Sequence, residues 1–218
     1  MKKILLFASM MAVASVANAQ TEYYVSGKAG LGDTTIYVDH DDTFDDFLIQ
    51  YAEINTGMRG FDYDASGLLW ELSPAIGIDW TINEAGWFHV RLEGELGYNN
   101  YSENGKLKYN SVITDKVKID FKQGVFLVNG YADFRIDKLV PYVGLGFGHG
   151  WGKQEITINN YNDSVNDHGR LWALHAGVAY KYSDVATFDL GIRKVYMPVE
   201  DDGSYVFTTI RLGTRFRI

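Results

Sequence analysis

Apolar and polar residues alternate with a period of two over eight stretches of the chain: 23–31, 68–80, 88–98, 125–136, 141–150, 171–182, 187–196 and 205–218. Such alternation predicts strands with one apolar and one polar face, and no stretch carries a 3.6-residue stripe. In the third, Phe88, Val90, Leu92, Leu96 and Tyr98 oppose His89, Arg91, Glu93 and Glu95. In the fourth, Phe126, Val128, Ala132, Phe134 and Ile136 oppose Asn129, Tyr131, Asp133 and Arg135. In the sixth, Trp172, Leu174, Ala176, Val178 and Tyr180 oppose His175 and Lys181, and in the seventh Phe188, Leu190 and Ile192 oppose Asp189 and Arg193. The last stretch sets Ile210, Leu212, Phe216 and Ile218 against Arg211, Arg215 and Arg217.

The connections fall into two classes that strictly alternate. Those at 83–86, 137–139 and 183–185 are tight, whereas those at 32–67, 99–124, 151–170 and 197–204 are longer and polar. This predicts an up-and-down meander with both termini on the short-turn side. Alternation inside 34–38 and 106–118 further predicts that strands one to four extend beyond the bilayer.

Two barrels fit these faces. A soluble one buries its apolar face, while a membrane one turns that face to lipid and its charges inward. The aromatic positions favour the second. Trp70, Trp80, Trp87, Trp151 and Trp172 all lie near strand ends, where a membrane places an aromatic girdle and a dry core would not. Strands of roughly 10 to 13 residues also meet what a tilted transmembrane strand requires. The inward parity carries Gly30, Gly77, Gly97, Gly144, Gly146 and Gly148, leaving space for long charged side chains opposite. Closure removes the sheet edges that lipid cannot satisfy, so the terminal stretch 205–218 is expected to pair with 23–31. The fold class is therefore all-β: an eight-stranded antiparallel up-and-down transmembrane barrel with four long surface loops and three short turns.

Composition adds a compartment. Lys2 and Lys3 precede an apolar run too short to span a membrane, followed by Ala17-Asn18-Ala19, the small-residue pattern of a signal-peptide cleavage site. Residues 1–19 are thus expected to be removed, leaving 20–218 as the barrel domain. Without Lys2 and Lys3 the 20 basic residues become 18 against 28 acidic, a net charge of −10, which argues against a nucleic-acid partner. There is no cysteine, so neither a disulfide scaffold nor a thiolate metal site is available. Past the leader no apolar run approaches the length of a transmembrane helix.

The stretch NGYADFRIDKLVPYVGLGFGHG, 129–150, and the later WALHAGVAYKYSDVATFDLGIR, 172–193, resemble successive hairpins of the opacity-like, OmpA-type eight-stranded barrels of Gram-negative outer membranes. That resemblance spans nearly all the chain outside the long loops. It implies a monomer integral to the outer membrane, in contact with its lipids and lipopolysaccharide, with host or matrix molecules as possible loop partners. It also implies recognition by the outer-membrane assembly machinery through a C-terminal signal, here Phe216 and Ile218. The family usually ends in an aromatic residue, whereas this chain ends in Ile218.

Glu71, Asp79, His89, Arg91, Glu93, Glu95, Asp133, Arg135, His175, Lys181, Asp189, Arg193, Arg211, Arg215 and Arg217 are the expected lumen set. The preferred reading is a mixed-sign network filling a narrow interior, since buried charges must pair and eight strands leave room only for side chains. An ion path through a small porin is the alternative. A lipid-modifying enzyme ranks below both: the outer-membrane deacylases resemble this architecture but use His-x-Ser, and no histidine here precedes Ser by two. His149 and His168 flank the third long connection and could meet near the mouth with Asp163 or Asp167, but lone loop histidines are expected to be solvated rather than catalytic. The acidic run 39–46 is expected to be a solvated loop, attracted to Lys106, Lys108, Lys116, Lys118 and Lys122 across the top. No cofactor or metal is expected. A non-enzymatic structural or surface-interaction protein is the resulting expectation, to which the family resemblance adds an adhesin role, with a soluble periplasmic ligand-binding barrel as the contrasting class.

Overall fold

Period-two alternation carries each strand across the barrel wall with its apolar parity outward. The computed structural model describes residues 21–37, 49, 61–83, 85–109, 112–159, 161–198 and 204–218. These form β1 (Thr21–Tyr37), β2 (Phe61–Thr81), β3 (Phe88–Tyr109), β4 (Val112–Phe134), β5 (Leu139–Ile158), β6 (Tyr161–Lys181), β7 (Ala186–Pro198) and β8 (Ser204–Arg217). Neighbours pair antiparallel in chain order, and β8 pairs with β1 to close the barrel. At that seam Tyr24 faces Arg217 and Ile36 faces Tyr205, and the Ile218 amide donates to the Tyr23 carbonyl at 3.0 Å. The expected leader and its cleavage site lie outside the described residues, as does the acidic run 39–46.

The short turns are built by residues suited to them. Asp137 takes a positive φ of 57°, which aspartate tolerates, between the bridged Ile136 and Leu139. Asn83 accepts the Phe88 amide through its side-chain oxygen at 2.9 Å, and Gly86 closes that turn at φ 70°. The Ser183 hydroxyl accepts the amides of Val185 and Ala186.

Strands β1 to β6 run beyond the alternating segments on the loop side, β1 reaching Tyr37 in accord with the alternation inside 34–38. Extension of β3 and β4 accords with the alternation inside 106–118. Extension of β5 and β6 does not follow from any such pattern: 151–170 is largely a hairpin, tightened at Asn159 with φ 53°. Its side chains face water on one side and a mixed interior on the other, so the hydrophobic contrast that marks a strand is lost while the backbone ladder continues. Exposed ion pairs decorate these extensions, among them Lys108–Asp64 at 2.8 Å and Lys153–Glu155 at 2.6 Å. The hydrogen bond from Lys153 holds the Glu155 carboxyl below its ordinary range. Such pairs are screened by water, so Lys108→Gln should move the urea midpoint of the refolded barrel by no more than the equivalent of about 0.5 kcal/mol.

The outward face is an apolar band: Phe147 is 66% exposed, Leu212 65% and Ile76 60%, although each is a large hydrophobe. Aromatic residues bound it at both ends. Trp87 stacks on Phe134 at 6.3 Å on the short-turn side, where Trp80 also lies. Trp70 meets Tyr98 at 5.6 Å and Trp172 meets Tyr196 at 5.5 Å toward the loops, with Trp151 one turn of the ladder higher. No helix among the described residues is long and apolar enough to cross a membrane.

Candidate functional site

The inward parity stacks in layers from the short-turn mouth upward. At the rim, Arg217 reaches Glu22 at 2.6 Å, Lys181 reaches Asp184 at 3.0 Å, and Asp79 receives both His89, at 2.8 Å, and Arg135, at 3.2 Å. Arg135, Lys181 and Arg217 are therefore partly solvated, because their strands end within one or two residues and the wall no longer encloses them. His89 and Asp79 are buried just inside.

Next comes a compensated pair of pairs. Arg91 donates to Asp133 at 2.6 Å and Arg215 to Asp189 at 2.8 Å, while the second Arg215 nitrogen lies 3.5 Å from Asp133. The Arg91 guanidinium sits 4.2 Å over the Tyr131 ring, a further source of stabilisation for a desolvated cation.

The central layer joins three carboxylates to three cations. Arg193 binds Glu71 and, at 3.0 Å, Glu95. Arg211 approaches Glu71 at 2.6 Å without hydrogen-bond alignment and donates to Glu95 at 2.9 Å. Lys28 contacts Glu93 and, at 3.1 Å, Glu95. Hydroxyls of Tyr24, Ser26 and Tyr131 complete Glu93 at 3.1, 3.3 and 3.3 Å. Glu71, Glu93 and Glu95 are essentially without solvent exposure. Charge therefore sums to zero within this layer and within the one below it. The Glu71 side chain lies flat over Gly30, and Tyr131 over Gly144, where a Cβ would approach their atoms to 2.7 and 2.4 Å.

Above the charges the lumen changes character. Asn99 donates to Gln123 at 3.0 Å, and beyond this amide layer Leu69, Tyr101, Phe121, Leu171, Met197, Tyr205 and Phe207 form an apolar cap. Phe121 stacks on Tyr205 at 4.9 Å and on Phe207 at 5.6 Å. A void of about 20 Å³ separates Arg91, Tyr131, His175 and Arg211, room for about one water molecule.

Thirteen charged residues were expected in the lumen, and ten of them meet in the buried layers or just inside the rim. Lys28 was not anticipated, although it shares parity with Gly30. Its strand reads Gly27, Ala29, Gly30, too small in side chain to declare a face. The apolar cap was not anticipated either, because the sequence alone does not say where along an inward parity charge gives way to Phe121 and Phe207. His149 and His168 do approach, with rings 6.1 Å apart, but on the outer surface. Both are exposed, as expected of solvated histidines, and the alternative grouping does not form with Asp167: parity turns it inward, where it accepts the Tyr205 hydroxyl at 2.7 Å.

The family model described as outer membrane protein beta-barrel domain matches residues 4–217. Uncharacterized proteins of Brucella abortus (strain 2308) and Brucella melitensis biotype 1 are each 27% identical over 185 residues, covering 73% of this chain. The chain spans 63% of the length of those relatives. Among solved structures, Neisserial surface protein A aligns with a TM-score of 0.46 at 16% identity, over 91% of this chain and 99% of that one. The attachment invasion locus protein Ail of Yersinia pestis aligns at 0.47 and 15%, over 89% and 99%. OprG of Pseudomonas aeruginosa aligns at 0.42 and 12%, over 92% and 96%.

Proposed function

We propose, because the chain belongs to the outer membrane protein beta-barrel domain family, that its task in the outer membrane is structural and interactive rather than enzymatic. The barrel is a monomeric, plugged scaffold that holds surface hairpins and loops rigidly above the membrane. One observation carries this reading. Among the described residues the lumen holds two charge-neutral layers beneath a cap of stacked aromatics, so each ion in those layers already has a partner of opposite charge. Catalysis needs a poised group facing substrate, whereas these carboxylates are spent on guanidinium and ammonium contacts.

Function then resides at the rims. The β3–β4 and β5–β6 hairpins project past the upper aromatic belt, and their exposed polar residues, among them Lys106, Lys116 and Asn162, are the contact surface for host or matrix molecules. The closing strand, with Phe216 and Ile218 on the lipid side, is the segment that the assembly machinery reads.

Planar-bilayer recording of the full chain is the test. The expected result is no unitary conductance above the lipid baseline, together with binding to cells or matrix that falls when the 106–118 hairpin tip is shortened. Steady conductance steps in the unaltered protein would assign it instead to the small channels.

A further inference from the structure

The outward face is not uniform above its apolar band. Following β5 upward, Val143, Leu145 and Phe147 face lipid, and His149 is the first polar residue on that parity. On β6 the corresponding step goes from Leu174 and Trp172 to Arg170 and then His168. The register places His149 directly opposite Arg170 and Trp151 directly opposite His168. Both imidazoles therefore share one patch with a guanidinium, and the Trp151 indole walls it by lying over Gly124 of β4, where a Cβ would come within 2.6 Å of the ring. Lys122 of β4 is exposed on the same parity, beside that indole.

Lys153 is engaged by Glu155 and Lys118 by Asp120, and both carboxylates also lie within electrostatic range of Lys122, whereas Arg170, His168 and His149 form no ion pair among the described residues. Like-charged neighbours across a ladder repel, and the lumen cations Arg91, Arg193, Arg211 and Arg215 are each answered by an acid. On the far side of the wall, the outward residues of β1 and β8 at the comparable step are Asp33, Thr35 and Thr208, with no cation. Arg170 is thus left to take an anion supplied from outside.

We propose that this patch of β4–β6 binds the phosphate group of an anionic glycolipid in the outer leaflet. The acyl chains lie along Phe147, Leu145 and Leu174 below, and the phosphate is held by Arg170 and the two histidines at the aromatic belt. A planar, bidentate guanidinium suits phosphate, and an indole at the headgroup level flanks the sugar. The site rests on the lipid-facing assignment of the outward parity, and it is independent of whether the lumen conducts.

Native mass spectrometry of the full chain, refolded in uncharged detergent, tests it. Diphosphoryl lipid A, its dephosphorylated counterpart and inorganic phosphate are titrated in separate arms. Diphosphoryl lipid A is expected to bind about tenfold more tightly than the dephosphorylated lipid. The combined variant H149Q/H168Q/R170Q is expected to erase that difference, and K138Q, at the opposite end, to leave it intact. Because all three substituted side chains face outward, heat-modifiable gel mobility should be unchanged; should the combined variant not fold, R170Q alone is expected to lower the ratio about threefold. Equal binding of the two lipids, retention of the preference in the variants, or displacement of the lipid by millimolar inorganic phosphate would each overturn the assignment. None of these outcomes alters the bilayer recording, so the scaffold reading fails or stands separately.

Discussion

Replacing Glu95 with leucine is expected to destabilise the barrel by about 3–5 kcal/mol, read as a lower urea midpoint for the folded, heat-modifiable band. Glu95 is the hub of the central layer: it meets Arg193, Arg211 and Lys28 and accepts a further hydrogen bond from Asn129 at 3.3 Å. Without it, three cations face two carboxylates, and a wall of strands bars water from the surplus charge. The cost belongs to that uncompensated cation, not to the intrinsic strength of any one contact. Removing a cation as well should therefore restore most of the loss. In Glu95→Leu/Arg193→Leu, Glu71 keeps Arg211 and Glu93 keeps Lys28, and the added leucines fill the space apolarly. A double variant less stable than the single one would show that charge balance is not what holds the layer together.

The second large effect comes from the wall. Gly148 lies between Leu127 on β4 and Leu171 on β6, and an added Cβ would stand 1.8 Å from the Phe126 carbonyl oxygen. That atom is backbone in a hydrogen-bonded ladder, so relief requires parting β4 from β5 rather than rotating a side chain. Gly148→Ala is expected to cost about 3 kcal/mol or more, or to stop the barrel from reaching its folded mobility. Gly94 is the matched control, since a Cβ there would meet nothing within 4 Å. Gly94→Ala should shift the midpoint by less than about 0.5 kcal/mol, or raise it by stiffening the unfolded chain. Similar losses for both glycines would mean that strand flexibility, not ladder contact, sets their importance.

These two experiments bear on different kinds of information. That Glu93, Glu95, Arg91, Arg193 and Arg211 face inward was legible from parity alone, because strands that pass through lipid cannot present charge to it. The number of strands, the three tight turns and the tryptophan belts were legible for the same reason: the bilayer imposes a sharp contrast that a linear pattern records. Where that contrast vanishes, so does legibility. The upper halves of β5 and β6 leave the lipid, and their polar residues no longer alternate. The middle of β1 carries small residues, and Lys28 went unassigned among them.

Partnership lay beyond the pattern altogether. Arg193 finds Glu71 across 122 positions of chain, and Arg211 finds Ser73 across 138. Such meetings depend on the stagger with which eight ladders close, a global quantity no local stretch encodes. The same closure decides that His149 and His168 come together on the outside while Asp167 turns in to Tyr205. Alternation under the constraint of lipid thus dictated which face each residue occupies. Only the closed barrel, by joining β8 to β1 at one register, decided which charges cancel inside and which cations remain uncancelled outside.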